Sequence, residues 1–196
     1  MAFVLDEDGI FECRKSALSG AGNGVFCSTK VKAGTILPYY GIAISDDNDE
    51  TEDGDRTYVI SADYTTIYGN QRTVTGLSVD GDPRLPPIHR LEEFKKLACQ
   101  TNEASDSSLP NCMLVSDPGI SRVDIKRSIV KKAPIPITYI VVTEDLQKDT
   151  ELLTCYGDAY GERQGYTPCK MSRRKHRELI DRAYTFVDAL HANFYA

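Results

Sequence analysis

Apolar and β-branched residues gather in short runs along the first half of the chain, at residues 10–14, 24–28, 35–40, 57–62 and 72–79, each bounded by Gly, Asp, Asn or Ser. Runs of this length between turn formers predict short strands in small sheets. The stretch YGNQRTVTGLSVDGDP, starting at Tyr68, places Gly-Asn and Asp-Gly turn signals around β-branched residues and predicts a hairpin. Residues 84–87 read as an extended linker. Residues 88–99 (IHRLEEFKKLAC) put Leu91, Phe94, Lys95 and Ala98 at helical spacing and predict a short helix. Strand patterns return at residues 112–115, 122–130, 137–142 and 151–156. The segment KKAPIPIT, with Pro134 and Pro136, reads as a surface connection, because proline has no N–H for a central ladder. From Ser172 the period changes: Leu179, Ile180, Ala183, Val187, Leu190 and Phe194 recur every three or four residues, which predicts an amphipathic helix with Ser172 as its N-cap. The fold class is therefore mainly β with short helices and one C-terminal helix.

Composition narrows the choice. A chain of 196 residues, 41% of them hydrophobic, can bury one sizeable core and suits one principal domain. No apolar run approaches the roughly 18–20 residues of a membrane span, and the N-terminus lacks the basic-then-apolar order of a secretory signal. The expectation is an intracellular protein with no membrane partner. Cys13, Cys27, Cys99, Cys112, Cys155 and Cys169 are scattered, with no C-x-x-C pair or nearby histidine. Free thiols and no bound metal are expected. The net charge of −6 argues against direct binding of nucleic acid and favours a cationic substrate. The carboxylate run from Asp46 to Asp55 reads as a solvated loop. Arg173, Arg174, Lys175, His176 and Arg177 crowd the N-terminal turn of the last helix, the unfavourable end of its dipole, and read as a solvated face; a nuclear address is the other reading.

Four short constellations carry candidate chemistry. The first is Ser19-Gly20-Ala21-Gly22-Asn23-Gly24, whose glycines permit positive φ and close approach of a ligand to the backbone. It is no dinucleotide fingerprint, since no strand leads into it and no helix follows. The second is Tyr39-Tyr40-Gly41. The third is Thr101-Asn102-Glu103-Ala104 followed by Pro110-Asn111-Cys112. The fourth runs from Glu151-Leu152 to Tyr156-Gly157 and Tyr160. Singly, each is an ordinary turn or strand end.

In this order, the glycine-rich turn, Y-x-G, the V-D-G of Val79 to Gly81, the asparagine loop ending in P-N-C and E-L-x-x-x-Y-G-x-x-Y resemble the SET domain, the fold of most lysine methyltransferases. The resemblance covers about residues 11–160. It implies small curved sheets with a C-terminal pseudoknot, an N-terminal extension over residues 1–10, an insert at 84–100, and a C-terminal segment, 161–196, bearing the amphipathic helix. It also implies S-adenosylmethionine as cofactor, with Gly22, Asn23, Gly24, Asn102, Glu103 and Tyr156 as the matching binding positions. Tyr156 and Tyr39 match the catalytic and channel tyrosines, and Tyr160 and Tyr166 are candidates for the channel's aromatic wall.

The implied activity is methyl transfer to a lysine, most naturally on a basic histone tail. In-line displacement needs alignment rather than a covalent nucleophile, and an apolar, tyrosine-walled channel both attracts the cation and favours the neutral amine. Two departures stand out: Glu103 occupies the place of the family's usual histidine, and the interval from Asn102 to Pro110 is longer than usual. They support a competing expectation, a catalytically inactive SET-like module that binds a peptide or scaffolds a complex. The C-terminal helix is a candidate homodimer interface.

Overall fold

The fold is that of a computed structural model, described for residues 9–44, 58–68, 71–85, 97–104, 108–117, 120–156, 169 and 171–194. The chain divides into two compact units. One comprises Met1–Leu37, Gln100–Val115 and Ile140–Ala196; the other comprises Pro38–Cys99 and Ser116–Tyr139.

In the first unit, β1 (Phe11–Lys15) and β2 (Asn23–Cys27) form an antiparallel hairpin in which Phe11 faces Cys27 and Lys15 faces Asn23. Its connection holds the glycine-rich turn. Gly20 and Gly22 have φ of 81° and 73°, and the Ser16 N–H donates to Gly22 O at 3.0 Å. On its other side β2 meets the segment approaching Tyr156: the Cys27 N–H donates to Thr150 O at 2.9 Å and the Leu152 N–H to Val25 O at 2.7 Å. Two short strands, β6 (Asn102–Glu103) and β9 (Leu153–Thr154), pair in parallel, Asn102 with Leu153 and Glu103 with Thr154. The long C-terminal helix, α2 (Arg173–Phe194), belongs to the same unit and buries Leu179, Ala183, Val187 and Leu190, the stripe its periodicity marks. Ser172 caps it, accepting from the Lys175 N–H at 3.2 Å. The Phe186 ring occupies the space beside Gly34, so that a Cβ at Gly34, whose φ is 85°, would lie 2.7 Å from it.

In the second unit, β4 (Val59–Tyr68) and β5 (Gln71–Asp80) form the expected hairpin, with Tyr68 opposite Gln71. β5 also pairs antiparallel with β3 (Ile36–Ile44), Ile42 facing Asp80. Together with β7 (Cys112–Ser116) and β8 (Ile135–Val142) these strands form a five-stranded sheet ordered β4-β5-β3-β8-β7; β3, β7 and β8 each have residues in both units.

Three expectations need correction. Residues 122–130 are not a strand but most of a helix, α1 (Arg122–Lys131). Ser121 caps it by accepting from the Asp124 N–H at 3.1 Å, Asp124 lies in the first turn, and Ile125 and Ser128 are buried at helical spacing. Local capping outweighs the β-branched composition that suggested a strand. The proline segment does not stay outside the sheet, for β8 starts at Ile135 and includes Pro136; at the second position of the strand a missing N–H costs little of the ladder. Regular pairing over residues 151–156 is confined to Leu153–Thr154, with an isolated bridge between Glu151 and Phe26. The expected helix at 88–99 lies mostly outside the described residues, and its end, Ala98–Gln100, is a 3-10 turn. The acidic run lies outside them too.

Candidate active site

The parallel β6–β9 pair and the β1–β2 hairpin bring three of the four constellations into one cluster within the first unit. An extended chain points successive side chains to opposite faces. On β6, Asn102 takes one side: its Nδ2 donates to Asn23 O and to Glu151 Oε1, both at 2.9 Å. Glu151 Oε1 also accepts from the Ser16 hydroxyl at 2.7 Å, and the Ser16 hydroxyl accepts from the Leu18 N–H at 3.0 Å. One carboxylate oxygen thus links the glycine-rich turn to the asparagine motif. The junction is tight at Gly24, where a Cβ would fall 2.1 Å from Glu151 Oε1 and 2.9 Å from Asn102 Nδ2. Gly22 is the opposite case: it is exposed, and no atom of the described residues lies within 4 Å of the position its Cβ would take.

Glu103 takes the other side of β6. Its Oε1 accepts from the Tyr156 N–H at 3.1 Å and from the Cys169 N–H at 3.3 Å. The Tyr156 hydroxyl donates to Thr101 O. The strand pair continues through the Ala104 N–H, which donates to Thr154 O at 2.9 Å.

Asn111, from the P-N-C motif, fixes the approach to Tyr156. Its Nδ2 donates to Glu151 O at 2.8 Å and its Oδ1 accepts from the Leu153 N–H at 2.9 Å, while its backbone carbonyl accepts the Thr143 N–H. An amide can donate and accept at once, so a single buried side chain extends the ladder beyond the two residues of β9. The hydroxyls of Thr101 and Thr154 are buried with no hydrogen-bond partner among the described residues.

Tyr39 belongs to the second unit, whereas Tyr156 belongs to the first. The Tyr39 side chain is buried and its hydroxyl donates to Tyr58 O at 2.8 Å. Y-x-G and V-D-G meet there: a Cβ on Gly81 would lie 2.4 Å from the Tyr39 ring, and one on Gly41 would lie 2.3 Å from Val79 Cγ1. Both glycines are thus required by packing. Tyr160 and Tyr166 lie outside the described residues.

The structure therefore gathers Gly22, Asn23, Gly24, Asn102, Glu103 and Tyr156, and adds Glu151, Asn111, Ser16 and Thr101. Glu151 opens the E-L motif and Asn111 sits in P-N-C, so both could have been singled out from their motifs; no local signal marks Ser16. The six cysteines are present as thiols, Cys27, Cys112 and Cys169 being buried. Burial pushes the Cys27 thiol up to about 11, and raises that of Cys112 as well, with the nearby Cys27 adding to the effect. Among the described residues there is no His, Cys, Asp and Glu grouping that could hold a metal ion, and no helix long and apolar enough to cross a membrane.

No family model matches the sequence, and no curated protein matches it. Among solved structures, the chain is similar to the methyltransferase domain of human PR domain-containing protein 2, at 14% identity and a TM-score of 0.43, over 76% of this chain and 78% of that one. It is also similar to a Plasmodium falciparum protein assigned as a histone methyltransferase, at 17% identity and a TM-score of 0.39, over 75% of this chain and 92% of that one. The architecture is mainly β, in several small sheets with a C-terminal helix, as the sequence pattern predicts.

Proposed function

We propose that this chain is a protein-lysine N-methyltransferase that uses S-adenosylmethionine and acts on a lysine in a basic segment such as a histone tail. The observation that carries the reading is the convergence of three constellations, far apart in sequence, on one cluster: the turn at Gly22 to Gly24, Asn102 with Glu103, and Glu151 with Tyr156.

The residues present suit the methionine end of the cofactor. That end is a zwitterion with an ammonium, a carboxylate and a sulfonium. Beside open space at Gly22, the cluster offers exposed turn backbone and, within hydrogen-bond reach of it through Asn102, the Glu151 carboxylate. Gly22, Asn23, Asn102 and Glu151 would hold that end; when bound, the cofactor supplies an electrophilic methyl group.

The protein's own part is orientation. Tyr156 is fixed by its hydroxyl to Thr101 and by its N–H to Glu103, so a pre-set aromatic face and oxygen stand at the cluster, and no covalent nucleophile is required. An aromatic wall also attracts a lysine side chain and disfavours its charged form once water is excluded. The overall acidity, net charge −6, favours approach of a basic peptide.

The test is calorimetric titration with S-adenosylmethionine, followed by transfer of its labelled methyl to core histones and to a cell lysate. Saturable binding with label on lysine supports the reading. Folded protein that neither binds nor transfers sinks it, and retention of basic peptides without cofactor binding would make the chain a binding module.

A further inference from the structure

We infer that Glu103 is a positioning residue, which sets the geometry of Tyr156 through its backbone rather than by touching the cofactor. The inference rests on the methyltransferase reading above for its functional consequence, though not for its geometry. Two bonds define it. Glu103 Oε1 receives the Tyr156 N–H at 3.1 Å and the Cys169 N–H at 3.3 Å, so one oxygen ties together two positions well separated in sequence. The Tyr156 hydroxyl is held by the carbonyl of Thr101, two residues before Glu103 on the same stretch. Tyr156 is therefore pinned at both ends along residues 101–103, its backbone by a side chain and its side chain by a backbone.

Strand alternation separates the two tasks of this stretch. Asn102 faces the glycine-rich turn and Glu151, whereas Glu103 faces Tyr156 and Cys169. Asparagine belongs to the turn and its neighbour to the tyrosine. A carboxylate is suited to the second task, because an ionised oxygen accepts two N–H groups at once more strongly than a neutral acceptor does. Cys169 also lies in a small apolar cluster with Ala104 and Leu153, against which Leu18, Cys155 and Met171 pack. Moving the Cys169 backbone would therefore disturb the packing beneath β6 and β9 as well as the tyrosine.

The experiment compares wild type with Glu103→Gln, Glu103→Asp and Glu103→Ala in the full chain, by amide hydrogen exchange resolved at Tyr156 and Cys169 and by steady-state methyl transfer. Glutamine keeps an acceptor at the same reach, aspartate keeps the charge but withdraws it, and alanine removes both. Exchange at the two amides should speed up together, by about tenfold or more, in the Asp and Ala variants and by a clearly smaller factor in Gln, whose neutral oxygen keeps the reach but accepts more weakly. In the same variants kcat should fall roughly ten- to a hundredfold, with KM for the cofactor little changed and Gln restoring most of the rate.

An unchanged exchange rate at either amide in Glu103→Asp would overturn the clamp. A rise in cofactor KM at constant kcat would overturn positioning in favour of direct cofactor contact. Should Glu103→Ala fail to fold, the Gln and Asp pair still decides. Wild type that transfers no methyl, while the exchange pattern holds, would dismiss the methyltransferase reading and leave the clamp standing.

Discussion

A methyl group added at Gly24 would sit 2.1 Å from a carboxylate oxygen that already accepts from Ser16 and Asn102. Either the Glu151 carboxylate withdraws or β2 shifts, and both separate the glycine-rich turn from the asparagine motif. Gly24→Ala should therefore cost about 1–3 kcal/mol of stability, read from urea unfolding, and abolish cofactor binding in calorimetry. Binding that survives would mean that the junction is not part of the site. Asn111 makes a second residue-scale case. Asn111→Ala leaves the Glu151 carbonyl and the buried Leu153 N–H without their partner, and should cost about 2 kcal/mol or more; an unchanged urea midpoint would count against the ladder role. Glycine, asparagine and tyrosine were visible as motif letters. The sequence does not say that Gly24 is required by Glu151, or that one asparagine side chain serves two backbone groups, since those are contacts between distant segments.

At the scale of elements, α2 was legible because its stripe of Leu179, Ala183, Val187 and Leu190 repeats over many turns. The stripe lies fully inside the first unit, and Arg182 adds a hydrogen bond from Nη1 to Thr143 O at 3.1 Å. Leu179→Ala should destabilise by roughly 2–4 kcal/mol in chemical denaturation, and a loss below about 0.5 kcal/mol would show that the helix is dispensable to the core. The β4–β5 hairpin was legible for a different reason: in the sequence Gly-Asn stands between two β-branched runs, a strong hairpin signal, and the two strands pair antiparallel as it implies. Over residues 122–130 pattern reading failed. Val123, Ile125, Ile129 and Val130 suit a strand as well as a helix, and the deciding features are the Ser121 cap and the left-handed Lys132 at the other end, with φ of 50°. Propensity over ten residues is a weaker constraint than two good caps.

For the molecule as a whole, the residues that the motifs mark are divided as the chain is. Gly22, Asn102, Glu103, Glu151 and Tyr156 belong to one unit, while Tyr39 with Gly41 and Gly81 belongs to the other. Order along the chain disclosed the motifs but not this partition, which depends on how β3, β7 and β8 carry the chain from one unit into the other. The buried thiols give a global reporter of the fold. Cys27 is held protonated to about pH 11 against an ordinary value of 9.0, because burial disfavours the thiolate. Below pH 9 both folded and unfolded states carry the proton, so this group leaves stability unchanged. Between pH 9 and 11 only the unfolded state releases it, and stability should fall as pH rises, as measured by urea midpoints across that window. In thiol labelling at pH 8, exposed Cys13 should react first and Cys27 and Cys112 only on unfolding. Equal rates for all three would contradict the burial of those two thiols.

In the proposed function, Tyr156 and Asn102 belong to one methyl-transfer site. The most direct measurement is transfer of labelled methyl from S-adenosylmethionine to core histones by wild type, Tyr156→Phe and Asn102→Ala, all checked for folding. The expected result is label on lysine with wild type, a rate lower by roughly ten- to a hundredfold with Tyr156→Phe, and lost cofactor binding with Asn102→Ala. Wild-type rates in both folded variants would contradict it.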